Sequence, residues 1–289
     1  MAQAPVVYLD WNVISDLVFD KAPERFAMLI SARRSGIAAF PFSVAHLLDI
    51  DGIKDSQDGR SRSELVEQAL NRLALLSGPL CLSQDLGPKF DFFSAQHSFS
   101  YRLPHDMWHN ISTTPGGFRS IFKVLEWGVF TAGRKELVDS GLDSRVLNNV
   151  TTEKELEEQI DRIMRESCAA RGIENPPTFR ALLEVKLESQ PDTLESRALR
   201  LCSLLNSFGF FSDKGGDLLT RSGMIDSMHV SFATFCDAFC TAERRLLKRA
   251  PMAFSLCGAR VQALGLTELD ELLARWEADY GIEPVQLHY

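Results

Sequence analysis

VVYLDWNVI, residues 6–14, begins with four consecutive apolar, β-favouring residues and ends them at a carboxylate. An uninterrupted apolar run of this length suits a strand buried on both faces, as in a parallel sheet. A helical pattern follows from about Asn12, and a second one runs through Glu24–Arg34 and stops at Gly36. Ile37–Phe42 is another apolar run, and Ser43 is placed to cap a helix through Leu48. Strand–helix alternation returns near the other end. Met224–Phe235 reads as a helix, Ala238–Thr241 as a short strand, and Arg244–Arg249 as the start of the next helix. Arg260–Leu264 is a last strand and Leu266–Tyr280 a closing amphipathic helix. Alternation at both ends predicts an α/β fold whose parallel sheet is assembled from the two ends of the chain.

Between them the character changes. A polar loop at residues 52–63 leads into helices with readable caps: Ser61 with Glu64, Thr152 with Glu155, and Asp192 with Glu195. Phe118, Ile121, Phe122, Leu125 and Val129 keep a helical period as well. The expected organisation is an α/β domain from residues 1–51 and 216–289, with an α-helical insertion at 52–215.

The 289 residues include 45% hydrophobic and 24% charged, ordinary for a globular chain, with a formal net charge of −8. That balance argues against nonspecific coating of nucleic acid, though a local basic strip remains compatible with it. No apolar run reaches membrane-spanning length, and the first residues show no charged region or cleavage pattern of a secretory leader. Six cysteines form no CxxC pair and lie mostly in apolar stretches, so they read as buried thiols of a reducing compartment. The expectation is a cytoplasmic protein with no membrane partner.

In a parallel sheet, functional groups gather beyond the carboxyl ends of the strands. Asp10 ends the first strand, Asp49 lies six residues past Ser43, Asp226 sits at the start of the Met224–Phe235 helix, and Glu243 follows the strand AFCT. Four clustered carboxylates repel one another unless a cation joins them, and oxygen-only ligands favour Mg²⁺ or Mn²⁺. Each acid also suits a plainer duty as a helix-terminal residue.

Three blocks resemble the PIN-domain nucleases. Val7-Tyr8-Leu9-Asp10-Trp11-Asn12-Val13-Ile14 is similar to their opening strand, a hydrophobic run followed by D-T/S-N. Ser43-Val-Ala-His-Leu-Leu-Asp49 resembles their second motif, in which the acid is usually Glu. Asp226 through Glu243 resembles their third, a helix opening with Asp and then a strand ending in T-x-D, here Thr241-Ala242-Glu243. Residues 5–51 and 217–265 carry the likeness. Trp11 stands in place of a small hydroxyl residue, Asp49 and Glu243 exchange the usual Glu and Asp, and the insertion has no counterpart in compact members.

The resemblance implies a metal-dependent endoribonuclease of PIN-like fold. Asp10, Asp49, Asp226 and Glu243 would be its catalytic and metal-holding residues, with Mg²⁺ or Mn²⁺ bound. RNA is the more common substrate of such enzymes, with DNA left open, and many relatives serve as toxins of toxin–antitoxin pairs or in phage defence. Asn12, His229, Arg244 and Arg245 are candidate substrate contacts, and Arg60, Arg62, Arg119 and Lys123 candidate phosphate contacts in the insertion. The insertion also suits docking of a protein partner or antitoxin. Two rivals stand beside this reading. A haloacid-dehalogenase-like phosphatase would need a second Asp where Asn12 stands. A catalytically weak PIN-like scaffold would bind RNA or protein without much hydrolysis.

Overall fold

The computed structural model describes residues 4–56, 59–84, 97–119, 144–170, 172–184, 193–211 and 221–285. It is mixed α/β. Strand β1 (Val7–Leu9) pairs in parallel with β5 (Ala238–Cys240), which pairs in parallel with β6 (Gln262–Leu264). A second sheet runs β2 (Phe42–Ser43), β3 (Leu80–Gln84), β4 (His97–Tyr101), with β2 and β3 parallel and β3 and β4 antiparallel. An isolated parallel bridge between Val6 and Ala39 links the residue before β1 to the segment leading into β2. The first and last strand–helix units thus meet side by side, as the alternation predicts.

Helix α1 (Trp11–Val18) starts where Asp10 accepts from the Trp11 amide, and α2 (Pro23–Arg34) starts at a proline whose missing N–H costs nothing there. Ser43 caps α3 (Val44–Asp51), and Ser61 with Glu64 closes a capping box on α4 (Arg62–Ser77). Then come α5 (Pro104–Thr113), a 3₁₀ turn at Ser144–Asn149, α6 (Glu153–Ala169) capped by Thr152, α7 (Phe179–Glu184) and α8 (Leu194–Ser207). The cap of α8 falls on Thr193, one residue beyond the expected Asp192. The expected helix beyond residue 119 and the boundary at Gly216 lie outside the described residues.

Helix α9 (Arg221–Ala233), α10 (Leu246–Cys257) and α11 (Leu266–Tyr280) complete the chain. One buried cluster runs from Tyr8, Leu9 and Ile14 through Phe42 and Leu73 to Phe232, Phe239 and Phe254. The six cysteines are unpaired, and five of them are buried.

The middle region departs from the expected all-helical insertion. Leu80–Gln84 and His97–Tyr101 are strands, and β3 extends the sheet directly from β2. In β4 the usual polarity is inverted. Tyr101 faces out, 81% exposed, and Phe99 stays 41% exposed with its ring edge-on to Phe235, while Ser100 bonds across the sheet to Ser83 at 2.7 Å. An alternation with its apolar members outward does not read as a half-buried strand.

Candidate active site

Three carboxylates, a histidine and an arginine meet beyond the carboxyl ends of β1 and β5. Leu9 pairs with Cys240, so the residues that follow each strand, Asp10 and Thr241, emerge side by side. Asp10 is 1% exposed. Its Oδ1 accepts from the Trp11 amide at 2.8 Å, and its Oδ2 accepts from the Thr241 hydroxyl at 2.8 Å and the Asn12 amide group at 3.1 Å. Thr241 Oγ1 in turn accepts from the Glu243 amide at 3.0 Å, so the turn after β5 ties Asp10 to the backbone of Glu243. Asp10 therefore performs the plain duty of a helix cap and still sits at the centre of the site.

Helix α3 brings Asp49 and helix α9 brings His229. His229 Nε2 lies 2.8 Å from Asp49 Oδ2 and 3.7 Å from Asp10 Oδ1. Carboxylates accept, so Nε2 carries a proton there. Burial alone would depress the His229 pKa, but the Asp49 bond and the charges of Asp10, Asp49 and Asp226 more than offset it, and the pKa is raised. On its other side, Nδ1 meets the Tyr8 hydroxyl at 2.9 Å, and that hydroxyl meets Ser43 Oγ at 2.6 Å.

His46 lies against the same ring cluster, with a different chemistry. Its Nδ1 accepts from the Ser43 amide at 3.0 Å, which leaves the proton on Nε2 to donate to Leu9 O at 2.7 Å. The ring is neutral, since burial and the neighbouring His229 push its pKa well below the ordinary value.

Asp226 lies in the interior of α9, which begins at Arg221 rather than at the expected Met224, and one turn before His229; its side chain is 16% exposed. Desolvation raises its pKa to about 8; Arg249 works against the rise, while Glu243 and Asp10 add to it. Arg249, from α10, donates to Asp226 Oδ2 at 3.3 Å and to Asn206 Oδ1 of α8 at 3.2 Å. Asp10, Asp49 and Asp226 are thus gathered around His229, and Glu243 lies within electrostatic reach of Asp226. Asp237 is at the opposite edge, where its carboxylate accepts from the Val6 amide at 2.8 Å before β1 begins.

An open groove of about 600 Å³ passes these strand ends. Asn12, Lys21, Glu243, Arg244 and Arg245 are among its lining residues. Asn12 therefore reaches both the groove and Asp10. The run Arg244, Arg245, Lys248, Arg249 reads in the sequence as one basic patch, but the fold divides it. Arg244 and Lys248 are exposed, Arg245 is half-buried, and Arg249 turns inward to Asp226.

Three contributors carry too little signal in the sequence to stand out. Tyr8 looks like strand filler, Thr241 like a strand end, and Arg249 like a solvated helical face. Arg249 alone has a readable clue, since it falls three residues after Leu246 and four before Ala253, on the apolar face of its helix.

The acids offer oxygen donors of the kind a hard divalent cation takes. Charge and donor type fit Mg²⁺ or Mn²⁺. Among the described residues no three His, Cys, Asp or Glu side chains are drawn into one ligand set, and His229 and Arg249 are the hydrogen-bond donors to Asp49 and Asp226. The chain matches no family model, no curated protein and no solved structure. No described helix is long and apolar enough to cross a membrane.

Proposed function

We propose that the chain is a metal-dependent endoribonuclease of PIN-like fold. The observation that carries this reading is the meeting of Asp10, Asp49 and Asp226 around His229, with Glu243 beside Asp226, beyond the ends of two adjacent parallel strands. Asp10, Asp49, Asp226 and Glu243 would hold Mg²⁺ or Mn²⁺. When bound, such an ion lowers the pKa of an attacking water and offsets charge on the leaving oxygen. The protein's own part is to hold the carboxylates in place. Asn12 and Thr241 fix Asp10, and Arg249 favours the charged form of Asp226. Arg244, Arg245 and Lys21 line the groove, where they suit a phosphate backbone and counter the overall charge of −8.

The test is cleavage of a mixed RNA pool, with single-stranded and duplex DNA alongside, in Mg²⁺, in Mn²⁺ and in excess chelator. RNA cleavage lost on chelation supports the reading; cleavage of DNA alone would move the substrate class. A second reading is a PIN-like scaffold that binds RNA or a protein with little hydrolysis. The internal pairing of Asp49 with His229 and of Asp226 with Arg249 favours it. Retained RNA binding with no cleavage in either metal would select it. A toxin or phage-defence role, with an antitoxin on the middle region, belongs to the same proposal and is tested by growth arrest on expression.

A further inference from the structure

Two histidines stand side by side under the site, their rings 4.8 Å apart, and they are held in different ways. His46 satisfies both nitrogens with backbone, Ser43 N–H on one side and Leu9 O on the other. That is the pattern of a histidine serving the core. His229 is buried as deeply, yet neither of its ring nitrogens turns to backbone. Its Nε2 is directed between two acids, and its Nδ1 to a tyrosine hydroxyl backed by a serine hydroxyl.

We infer that His229 is a positioning residue for the cation-holding carboxylates: its Nε2–H sets Asp49 beside Asp10, and the Tyr8–Ser43 hydroxyl pair sets His229. The inference rests on the metal-dependent reading above.

The parts come from separate elements. Tyr8 belongs to β1, Ser43 closes β2 and caps α3, and His229 belongs to α9. Tyr8 is fully buried among Phe239 and both imidazoles, so its hydroxyl has little freedom to wander. The strand therefore sets the hydroxyl, the hydroxyl sets the ring, and the ring sets the acid. A carboxylate that binds a metal through one oxygen and accepts a hydrogen bond at the other is held in orientation, and losing such a partner costs about 10–100-fold in metal affinity.

The experiment is Mn²⁺ titration calorimetry on the full chain, with thermal melting and RNA-cleavage kinetics on the same preparations. His229→Leu should weaken Mn²⁺ binding by about 10–100-fold. His229→Gln keeps an N–H that can reach Asp49 and should recover most of that affinity. Tyr8→Phe, which touches no carboxylate, should fall between them and lower kcat more than it raises KM. His46→Gln should lower the melting temperature without moving Mn²⁺ affinity. If His229→Leu does not fold, Tyr8→Phe decides. Unchanged or tighter Mn²⁺ binding in His229→Leu and Tyr8→Phe would overturn the inference, and so would a Gln variant no better than Leu. Equal loss in His46→Gln would reduce His229 to a core residue. A wild-type chain that binds no Mn²⁺ overturns this inference together with the metal reading. A wild-type chain that binds Mn²⁺ and cleaves nothing removes the nuclease reading alone, and calorimetry still judges His229.

Discussion

Asp10 is buried and accepts three hydrogen bonds, from Trp11, Asn12 and Thr241, so its charge and its shape matter separately. Asp10→Asn replaces one accepting oxygen with an amide that donates, facing either Trp11 N–H or the Asn12 and Thr241 donors. The variant should lose RNA cleavage, and urea unfolding should show a loss of roughly 1–3 kcal/mol, the usual cost of a mismatched buried polar group. Near-isosteric substitution would leave stability alone only if the site were an open surface; unchanged stability would mean these hydrogen bonds are not kept in solution. Asp226 makes a pH prediction. Its pKa is raised from 3.8 to about 8, so the folded state binds the proton more tightly than the unfolded state. That stabilisation is full below the unfolded value and is lost as pH rises toward the folded one. The raised pKa of His229 acts in the same direction. The melting temperature should therefore fall between pH 5 and pH 9, and Asp226→Asn should flatten the fall. A melting temperature that rises across this range would contradict the burial of Asp226.

Helix α10 fastens the site to the middle of the chain through Arg249. Its guanidinium reaches Asp226 on α9, Asn206 on α8 and, at 3.4 Å, the Phe211 carbonyl. Arg249→Met keeps much of the volume and removes the charge. Breaking such a buried pair costs about 3–5 kcal/mol, because the other charge is left without its partner. The loss should be larger at pH 9, where Asp226 is ionised, than at pH 6, where it is mostly protonated; urea unfolding at the two pH values checks this, and equal losses would show that Arg249 acts through packing. The elements themselves are readable where a local rule is strong. Continuous apolar runs mark β1 and β5, and Ser-x-x-Glu at Ser61 and Thr-x-x-Glu at Thr152 mark helix starts. Strand ends then point to Asp10 and Glu243, and the helical turn from Asp226 to His229 is visible as spacing. Pairings between distant elements leave no such trace. Nothing local tells that Tyr8 meets Ser43 and His229, or that Arg249 turns inward, because these facts are set by how helices pack on the sheet. Strand β4 escapes for a different reason, its aromatics exposed against the usual alternation.

At the scale of the whole molecule, a chain of net charge −8 must present any polyanion with a local exception to its own field. Arg244 and Arg245 on the groove provide it, beside Lys21 paired with Asp16, whereas Arg62, though exposed, is engaged by Asp51 Oδ1 at 3.1 Å and the Ile53 carbonyl at 3.0 Å. Arg60 bonds Gln68 at 3.2 Å, Arg119 is exposed, and Lys123 lies outside the described residues. Replacing Arg244 and Arg245 by alanine should reduce the salt slope of RNA binding by about 1 for each phosphate no longer neutralised, while Arg62→Ala should lower stability and leave the slope unchanged. A slope that follows Arg62 instead would move the phosphate path onto the middle region.

The middle region is joined to the rest at several levels of structure, and this bears on how the molecule unfolds. Its strand β3 continues the sheet from β2, pairing Cys81 with Phe42 and Leu82 with Ser43. Gln68 and Arg72 of α4 donate to the carbonyls of Val18 and Leu17 at the end of α1, and Arg72 pairs with Asp20. Ser231 of α9 donates to the Glu195 carbonyl of α8 at 2.8 Å, beside the Arg249 link to Asn206. Apolar side chains from both regions share the buried cluster, so opening one exposes the inner face of the other. Tryptophan fluorescence and far-ultraviolet circular dichroism should therefore report one coincident unfolding transition in urea. Residues 52–215 expressed alone should fail to give a cooperative transition, because their apolar faces would lack β2, α9 and α10 to cover them. Two separated transitions, or an excised segment that melts cooperatively, would make the middle region an independent subdomain. It would then be free to move as a unit across the acidic site, whereas a single transition requires it to form part of the wall that holds Asp49 and Asp226 in place.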